Sequence, residues 1–245
     1  QAGSNPGAVY AEAGKKYYVK QYTDANQAQS EALSNAFYRE LGIPAPQSRV
    51  HVDGSGQTQH VAEMLPNTKP LELTQENADK ILDGFAADVV LGNWDATGMG
   101  LENIVESGGK LYRIDQGGTL TYRAQGGLKP EATLSAVDEW TSLIEKNPDY
   151  RAVFKAAGYD SADDIAYRIR QQADEITQKI GGDVRKFVEE ATPDASPEFI
   201  EETIILLQDR INLLNARVGQ SIGTTGGLSH GDNAFVDSVL LRGNR

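Results

Sequence analysis

The densest run of chemistry-capable residues is Ala87-Asp88-Val89-Val90-Leu91-Gly92-Asn93-Trp94-Asp95, then Asn103, then Arg113-Ile114-Asp115-Gln116-Gly117-Gly118. An aspartate in a polar loop after a buried helix can orient a hydroxyl for attack or accept its proton. An asparagine shortly beyond it, and a second aspartate after the next hairpin, offer the hard oxygen donors that Mg²⁺ takes alongside phosphates and water. Asp95 is thus a candidate catalytic group, and Asn103 and Asp115 are candidate metal ligands. Gly117 and Gly118 are expected to let the backbone turn sharply around the metal. Taken singly, these Asp and Asn residues also read as ordinary turn formers.

The order of residues upstream strengthens the chemical reading. Gly3-Ser4-Asn5-Pro6-Gly7-Ala8-Val9-Tyr10 has glycines at both ends of a loop that runs into a strand, so its N–H groups can approach phosphate oxygens closely. Ten residues past Tyr10, Lys20 alternates with apolar neighbours. Such a lysine either snorkels to solvent or points into a cleft and holds phosphates, and the second role needs a carboxylate to aim it. Glu31, early in the next helix, is the preferred partner; Glu40 competes with it.

These groups need elements to carry them. Residues 16–22 are β-rich, and Ala28, Ala32, Leu33, Ala36, Phe37 and Leu41 recur at helical spacing before the stop at Gly42. Ser48–Asp53 and Gln59–Leu65 read as strands around the turn Gly54-Ser55-Gly56. Thr74 is expected to cap one helix running to about Leu91, followed by a strand–turn–strand over 103–115. Residues 133–218 read as mainly helical, and 219–245 as a Gly/Ser/Thr-rich tail. The expected architecture is α+β and bilobal: a β-rich lobe over 1–65 with one helix, and a larger helical lobe over 66–218.

The ordered set resembles the atypical protein-kinase-like fold, in its HipA-like, phosphatidylinositol 3-/4-kinase and actin-fragmin kinase group. The resemblance rests on Gly3–Tyr10 with Tyr17-Tyr18-Val19-Lys20, on Leu41-Gly42-Ile43-Pro44-Ala45-Pro46, and on Gly92-Asn93-Trp94-Asp95 with Asn103 and Ile114-Asp115-Gln116-Gly117-Gly118. It covers about residues 3–125 and implies a phosphotransferase using ATP and Mg²⁺. By that resemblance Gly3, Ser4, Asn5 and Gly7 cradle phosphates, Lys20 holds the α/β-phosphates and Glu31 orients it. Asp95 is the catalytic aspartate, and Asn103 and Asp115 bind the metal. Ala62, Glu63, Met64 and Leu65 form the hinge that reads adenine. This sequence departs from the usual kinase pattern twice: seven residues separate Asp95 from Asn103 where four are usual, and Ala96 replaces the usual basic residue.

Composition narrows the partners. Thirty-five acidic against 23 basic side chains give a net charge of −12, which repels a nucleic-acid backbone and offers no polybasic patch for an anionic membrane. No apolar run approaches the roughly 20 residues of a membrane span. With no cysteine and three histidines, thiol catalysis and Cys-based metal sites are excluded, and a His-rich site is not expected. The compartment stays open: cytoplasmic and exported bacterial proteins both fit. Three functions follow: a protein Ser/Thr kinase acting on a protein or peptide hydroxyl, with self-phosphorylation as one outlet; a catalytically weak nucleotide-binding module of a larger bacterial or phage protein; or a small-molecule or lipid kinase. Ser229-His230-Gly231-Asp232 also mimics a His-Gly-Asp catalytic loop but lacks the Asn five residues on, and is read as coincidence.

Overall fold

A computed structural model describes residues 7–225. Gly3, Ser4, Asn5 and the segment 229–232 lie outside the described residues.

The smaller lobe is a four-stranded antiparallel sheet in the order β1-β2-β4-β3, from β1 (Gly7–Glu12), β2 (Lys15–Gln21), β3 (Ser48–Val52) and β4 (Thr58–Glu63). Between β2 and β3 runs helix α1 (Ala25–Glu40), opened by the Asp24 carboxylate, which accepts from the Asn26 N–H at 2.9 Å. It ends at Gly42, whose φ of 74° suits a residue without Cβ. Gln27, Gln29, Ser30, Glu31, Ser34 and Asn35 are all buried along α1. A helix buried with so many polar groups needs internal partners for them, and these partners build the site described below.

In the larger lobe, β5 (Lys69–Pro70), β6 (Ile104–Ser107) and β7 (Lys110–Arg113) form a second antiparallel sheet. Around it lie α2 (Gln75–Leu82), α3 (Phe85–Val90), α4 (Glu131–Leu134), α5 (Glu139–Lys146), α6 (Pro148–Ala157), α7 (Ala166–Lys179), α8 (Val184–Ala191) and α9 (Pro197–Thr225). Phe85 anchors the core, with Trp140, Tyr150 and Phe154 meeting it edge-on at 5.3–6.4 Å between centroids. The architecture is α+β with two lobes, as the sequence pattern implies.

Two boundaries differ from expectation. The single helix expected over 74–91 breaks at Asp83-Gly84 into α2 and α3. A Cβ on Gly84 would come within 2.4 Å of the Arg113 guanidinium, which fills the break and takes the Ile81 carbonyl at 2.8 Å. At the other end, α9 continues to Thr225, so residues 219–225, expected in the tail, are helical. Ser221 is buried there and donates to Asp163 at 2.6 Å.

The two lobes are joined through α1. Tyr38 donates to the Asp88 carboxylate at 2.7 Å, and Arg113 closes on Asp88 through Nε at 3.0 Å and Nη2 at 2.8 Å. Tyr150 adds a fourth donor to the same fully buried carboxylate. Further up α1, Ser34 pairs with Thr119 at 2.7 Å, and Gln27 Nε2 donates to the Gly117 carbonyl at 2.8 Å. Tyr122 reaches back to Asp24 at 2.8 Å.

Candidate active site

Strand alternation sets the upper wall of the cleft. Lys20 leaves β2 toward Glu31, Tyr22 just past the end of that strand reaches the same carboxylate, and His60, the cross-strand partner of Lys20, joins them from β4. Lys20 Nζ lies 2.8 Å from Glu31 Oε1 and 2.6 Å from Asp115 Oδ1. The ammonium therefore spans the cleft, from the small-lobe helix to the loop after β7. Glu40, the rival partner, makes no pair with Lys20. Burial opposes ionisation of Glu31, but His60, Lys20 and the Tyr22 hydroxyl outweigh it and hold its carboxyl down at about 2. Burial likewise opposes the charge on Lys20, and the two carboxylates more than restore it, raising its pKa. The pair is fixed and charged before any ligand arrives.

The lower wall is built around Asp95. The seven-residue interval to Asn103 bulges outward as a short 3₁₀ turn at Met99–Leu101, with Gly98 and Gly100 at φ 66° and 64°. Asp149 accepts from the Gly100 N–H at 2.9 Å and pins the bulge. The loop then closes: Asn103 N–H donates to the Thr97 carbonyl at 3.1 Å, and its Nδ2 donates to the Asp95 carbonyl at 2.7 Å. The departure in spacing thus leaves Asn103 beside Asp95, with its amide nitrogen committed to that residue. Asp95 is half-buried, and desolvation together with the Asp115 charge raises its pKa, as a proton acceptor would need.

Asp115 sits at φ 60°, a left-handed conformation that a non-glycine residue adopts at a cost and that is concentrated at functional sites. Gly117 and Gly118 lie in a turn, as expected of them. They are required for space, since a Cβ on Gly117 would stand 2.6 Å from the Tyr22 hydroxyl oxygen, and one on Gly118 3.0 Å from the Ala124 backbone. Among the described residues no three His, Cys, Asp or Glu side chains gather into a cation cage of their own. Asp115 and Asn103 line the same cleft, and their side-chain oxygens are hard donors of the kind Mg²⁺ takes.

All five groups line one cleft of about 1400 Å³, bounded also by Ala62, Glu63, Met64 and Leu65. That exceeds the roughly 300–1,000 Å³ of a small-molecule pocket and leaves room for a second reactant. In the expected hinge, the Glu63 and Met64 N–H groups are already spent on the Gln47 and Lys16 carbonyls at 2.8 and 2.9 Å. The Glu63 side chain pairs with Lys15 at 3.0 Å. Leu65 is the hinge residue whose N–H makes no backbone bond among the described residues. Gly7 opens β1 opposite Lys20, where a side chain would collide with the Tyr18 ring.

No family model matches the chain, and no curated protein matches it. Among solved structures, the Helicobacter pylori proinflammatory kinase CtkA superposes with a TM-score of 0.56 at 13% identity, over 90% of this chain and 93% of that one. HipA of Shewanella oneidensis, solved with HipB and operator DNA, gives 0.54 at 11% identity, over 90% of this chain and 66% of that one. The chain has a HipA-like kinase fold.

Within this HipA-like fold several site residues escaped the sequence reading. His60 lies behind Glu31, Oε2 to Nδ1 at 3.3 Å, and Tyr22 donates to the same carboxylate. Period-two alternation from Lys20 would have found Tyr22; His60 needed the strand pairing. Lys129 was invisible in sequence. Its ammonium donates to the carbonyls of Gly92, Gly118 and Leu120 at 2.8–2.9 Å and lies 5.1 Å from the Trp94 ring centroid. It thereby staples the Asp95 loop to the Asp115 loop, although desolvation pushes its pKa down to about 7. Trp94 is held in turn by Glu139 at 2.8 Å, and Glu139 by Arg210 at 2.7 Å.

Proposed function

We propose that the protein is an ATP- and Mg²⁺-dependent phosphotransferase, a Ser/Thr kinase acting on a protein hydroxyl. The observation that carries this reading is the convergence of Lys20, Glu31 and Asp115 within 2.8 Å, in the cleft that Asp95 and Asn103 also line. Phosphoryl transfer asks little covalent chemistry of a protein; it asks for in-line positioning and neutralised phosphate charge. Lys20, aimed by Glu31, would engage the phosphates at the deep end. Asn103 and Asp115 would hold Mg²⁺, which when bound neutralises phosphate charge. Asp95 would orient the acceptor hydroxyl and take its proton. The hinge would seat the base through the free Leu65 N–H. A protein acceptor suits the breadth of the cleft, whose outer rim is formed by Met99, Glu102, Arg123 and Gln125.

A second reading, a nucleotide-binding module with weak turnover, is favoured by the interval between Asp95 and Asn103, seven residues where a kinase usually has four. Incubation with γ-labelled ATP, Mg²⁺ and a casein-like protein separates the two. Transfer of label to protein supports the kinase; nucleotide binding by calorimetry without transfer supports the module.

A further inference from the structure

The bulge between Asp95 and Asn103 is built more firmly than closing the loop requires. Three of its residues stand at positive φ: Gly98 at 66°, Gly100 at 64° and Leu101 at 68°. At Gly98 ψ is −168°, a combination open almost to glycine alone, and a Cβ there would come within 2.8 Å of the Asn103 side chain. Leu101 holds its left-handed pose against the steric penalty that any side chain meets there. Such strain persists only where the surroundings enforce it, and α6 does so at two points. Asn147, which caps α6, donates to Thr97 Oγ1 at 3.2 Å, and Asp149 in the first turn accepts from the Gly100 N–H at 2.9 Å. Tyr150, the next residue, is buried and bonded to Asp88, so the helix end that grips the bulge is itself anchored in the core.

What this fixed bulge presents is Met99. Leu101 packs against the core, whereas Met99 stands at the rim of the cleft, 75% exposed. Among the described residues it is the most exposed large apolar side chain. Held in water on a strained and pinned loop, it contributes nothing to the stability of the free protein. A methionine is unbranched and polarisable, so it moulds to apolar neighbours of varied shape. It lies four residues past Asp95, on the same loop, and so belongs with the acceptor hydroxyl rather than with the strand end at 62–65 that would seat the base. We infer that Met99 is a specificity-determining residue for the acceptor, packing against an apolar side chain that flanks the hydroxyl. The acceptors selected are then Ser or Thr residues with an apolar neighbour. The inference rests on the kinase reading above and deepens it by naming the acceptor class. The transfer itself is unchanged: the hydroxyl oxygen bonds the γ-phosphorus of ATP as the bond to the bridging oxygen breaks, ADP leaves, and Asp95 takes the hydroxyl proton.

The test is transfer of labelled phosphate from Mg·ATP to single-Ser peptides in which each of three positions on either side of the serine carries Leu, Ala or Lys in turn. With the full chain, Leu at one of these positions is expected to lower KM about tenfold relative to Ala, with kcat nearly unchanged, the effect of withdrawing an apolar side chain from water on binding. Met99→Glu is expected to lose that preference and to favour Lys at the same position. Met99 is exposed, so the substitution removes no core packing, and calorimetry on the variant should give the Mg·ATP affinity of the wild type. Equal use of Leu and Ala peptides at every position, or a Leu preference that survives in Met99→Glu, overturns the acceptor subsite and leaves the kinase reading standing. So does transfer to a casein-like protein but to none of the peptides. Weakened Mg·ATP binding by Met99→Glu assigns the side chain to the nucleotide and also overturns the subsite. Mg·ATP binding with no transfer to peptides or protein overturns the subsite and the kinase reading together.

Discussion

Asp115 couples two tasks, because one carboxylate oxygen receives Lys20 while the residue also stands among the candidate metal ligands. Asp115→Ala should lower Mg·ATP turnover by about a hundredfold or more, the usual effect of deleting one preorganised charge contact, while the fold persists. Labelled-phosphate transfer checks this, and undiminished transfer removes the assigned role. Glu31 makes a pH prediction. Its carboxyl is held at about 2 in the folded chain against an ordinary 4.5, so the unfolded chain takes up the proton first as pH falls. The stabilisation is complete above about pH 4.5 and is lost progressively toward pH 2, to the extent of ~3 kcal/mol. Glu31→Gln should lack this component, so urea titrations at pH 5 and 2.5 should show a smaller stability difference in the variant than in the wild type. Lys20, Glu31, Asp95 and Asp115 were legible in the sequence because each sits at a boundary that the pattern marks: a strand, a helix start, a loop after a buried helix, a hairpin exit. His60 and Lys129 were not, since the partners of His60 are 25 or more residues distant and those of Lys129 are backbone carbonyls, for which a sequence carries no signal.

At the level of elements, loops that carry the chemistry are stapled rather than left to order on their own. Lys129→Met removes three donors but also a desolvated charge, and these partly cancel. Its net stability cost should stay within about 2 kcal/mol, whereas kcat should fall about tenfold with KM for nucleotide nearly unchanged, because the loops bearing Asp95 and Asp115 lose their common tie. Steady-state kinetics and a thermal melt on the same preparation separate the two effects. The opposite balance holds at Asp88, whose partners are all side chains. Arg113→Met strands a fully buried carboxylate with two tyrosines and should cost about 3–5 kcal/mol. Chemical denaturation would show it, and a cost below 1 kcal/mol would contradict the role given to this pair. The break between α2 and α3 was missed for the same reason: helical periodicity runs unbroken through Asp83-Gly84, and only the arginine arriving from β7 interrupts it.

For the molecule as a whole, a ligand that binds only the folded cleft must raise the melting temperature. At a hundred times its Kd, Mg·ATP should add about 2.7 kcal/mol, which for a chain of this length is a shift of about 5–10 °C. Scanning fluorimetry with ATP, with and without Mg²⁺, reads this directly, and no shift at millimolar concentrations removes the nucleotide reading. The bilobal arrangement was legible in outline, from a β-rich start to a helical remainder. How the lobes are fastened was not, because the ties are long-range hydrogen bonds from polar residues of α1, a helix whose composition alone suggests exposure.

Those ties carry a consequence for control. Tyr38, Ser34, Gln27 and Asp24 each grip the larger lobe from α1 or its cap. To swing that helix outward and disarm Lys20 would mean breaking four bonds in concert, three of them in buried surroundings. On the proposed reading, a catalyst locked at rest in this pose gains nothing from a priming modification and has no inexpensive way to idle. Its output would then follow abundance and acceptor supply, or a protein that stoppers the cleft from outside.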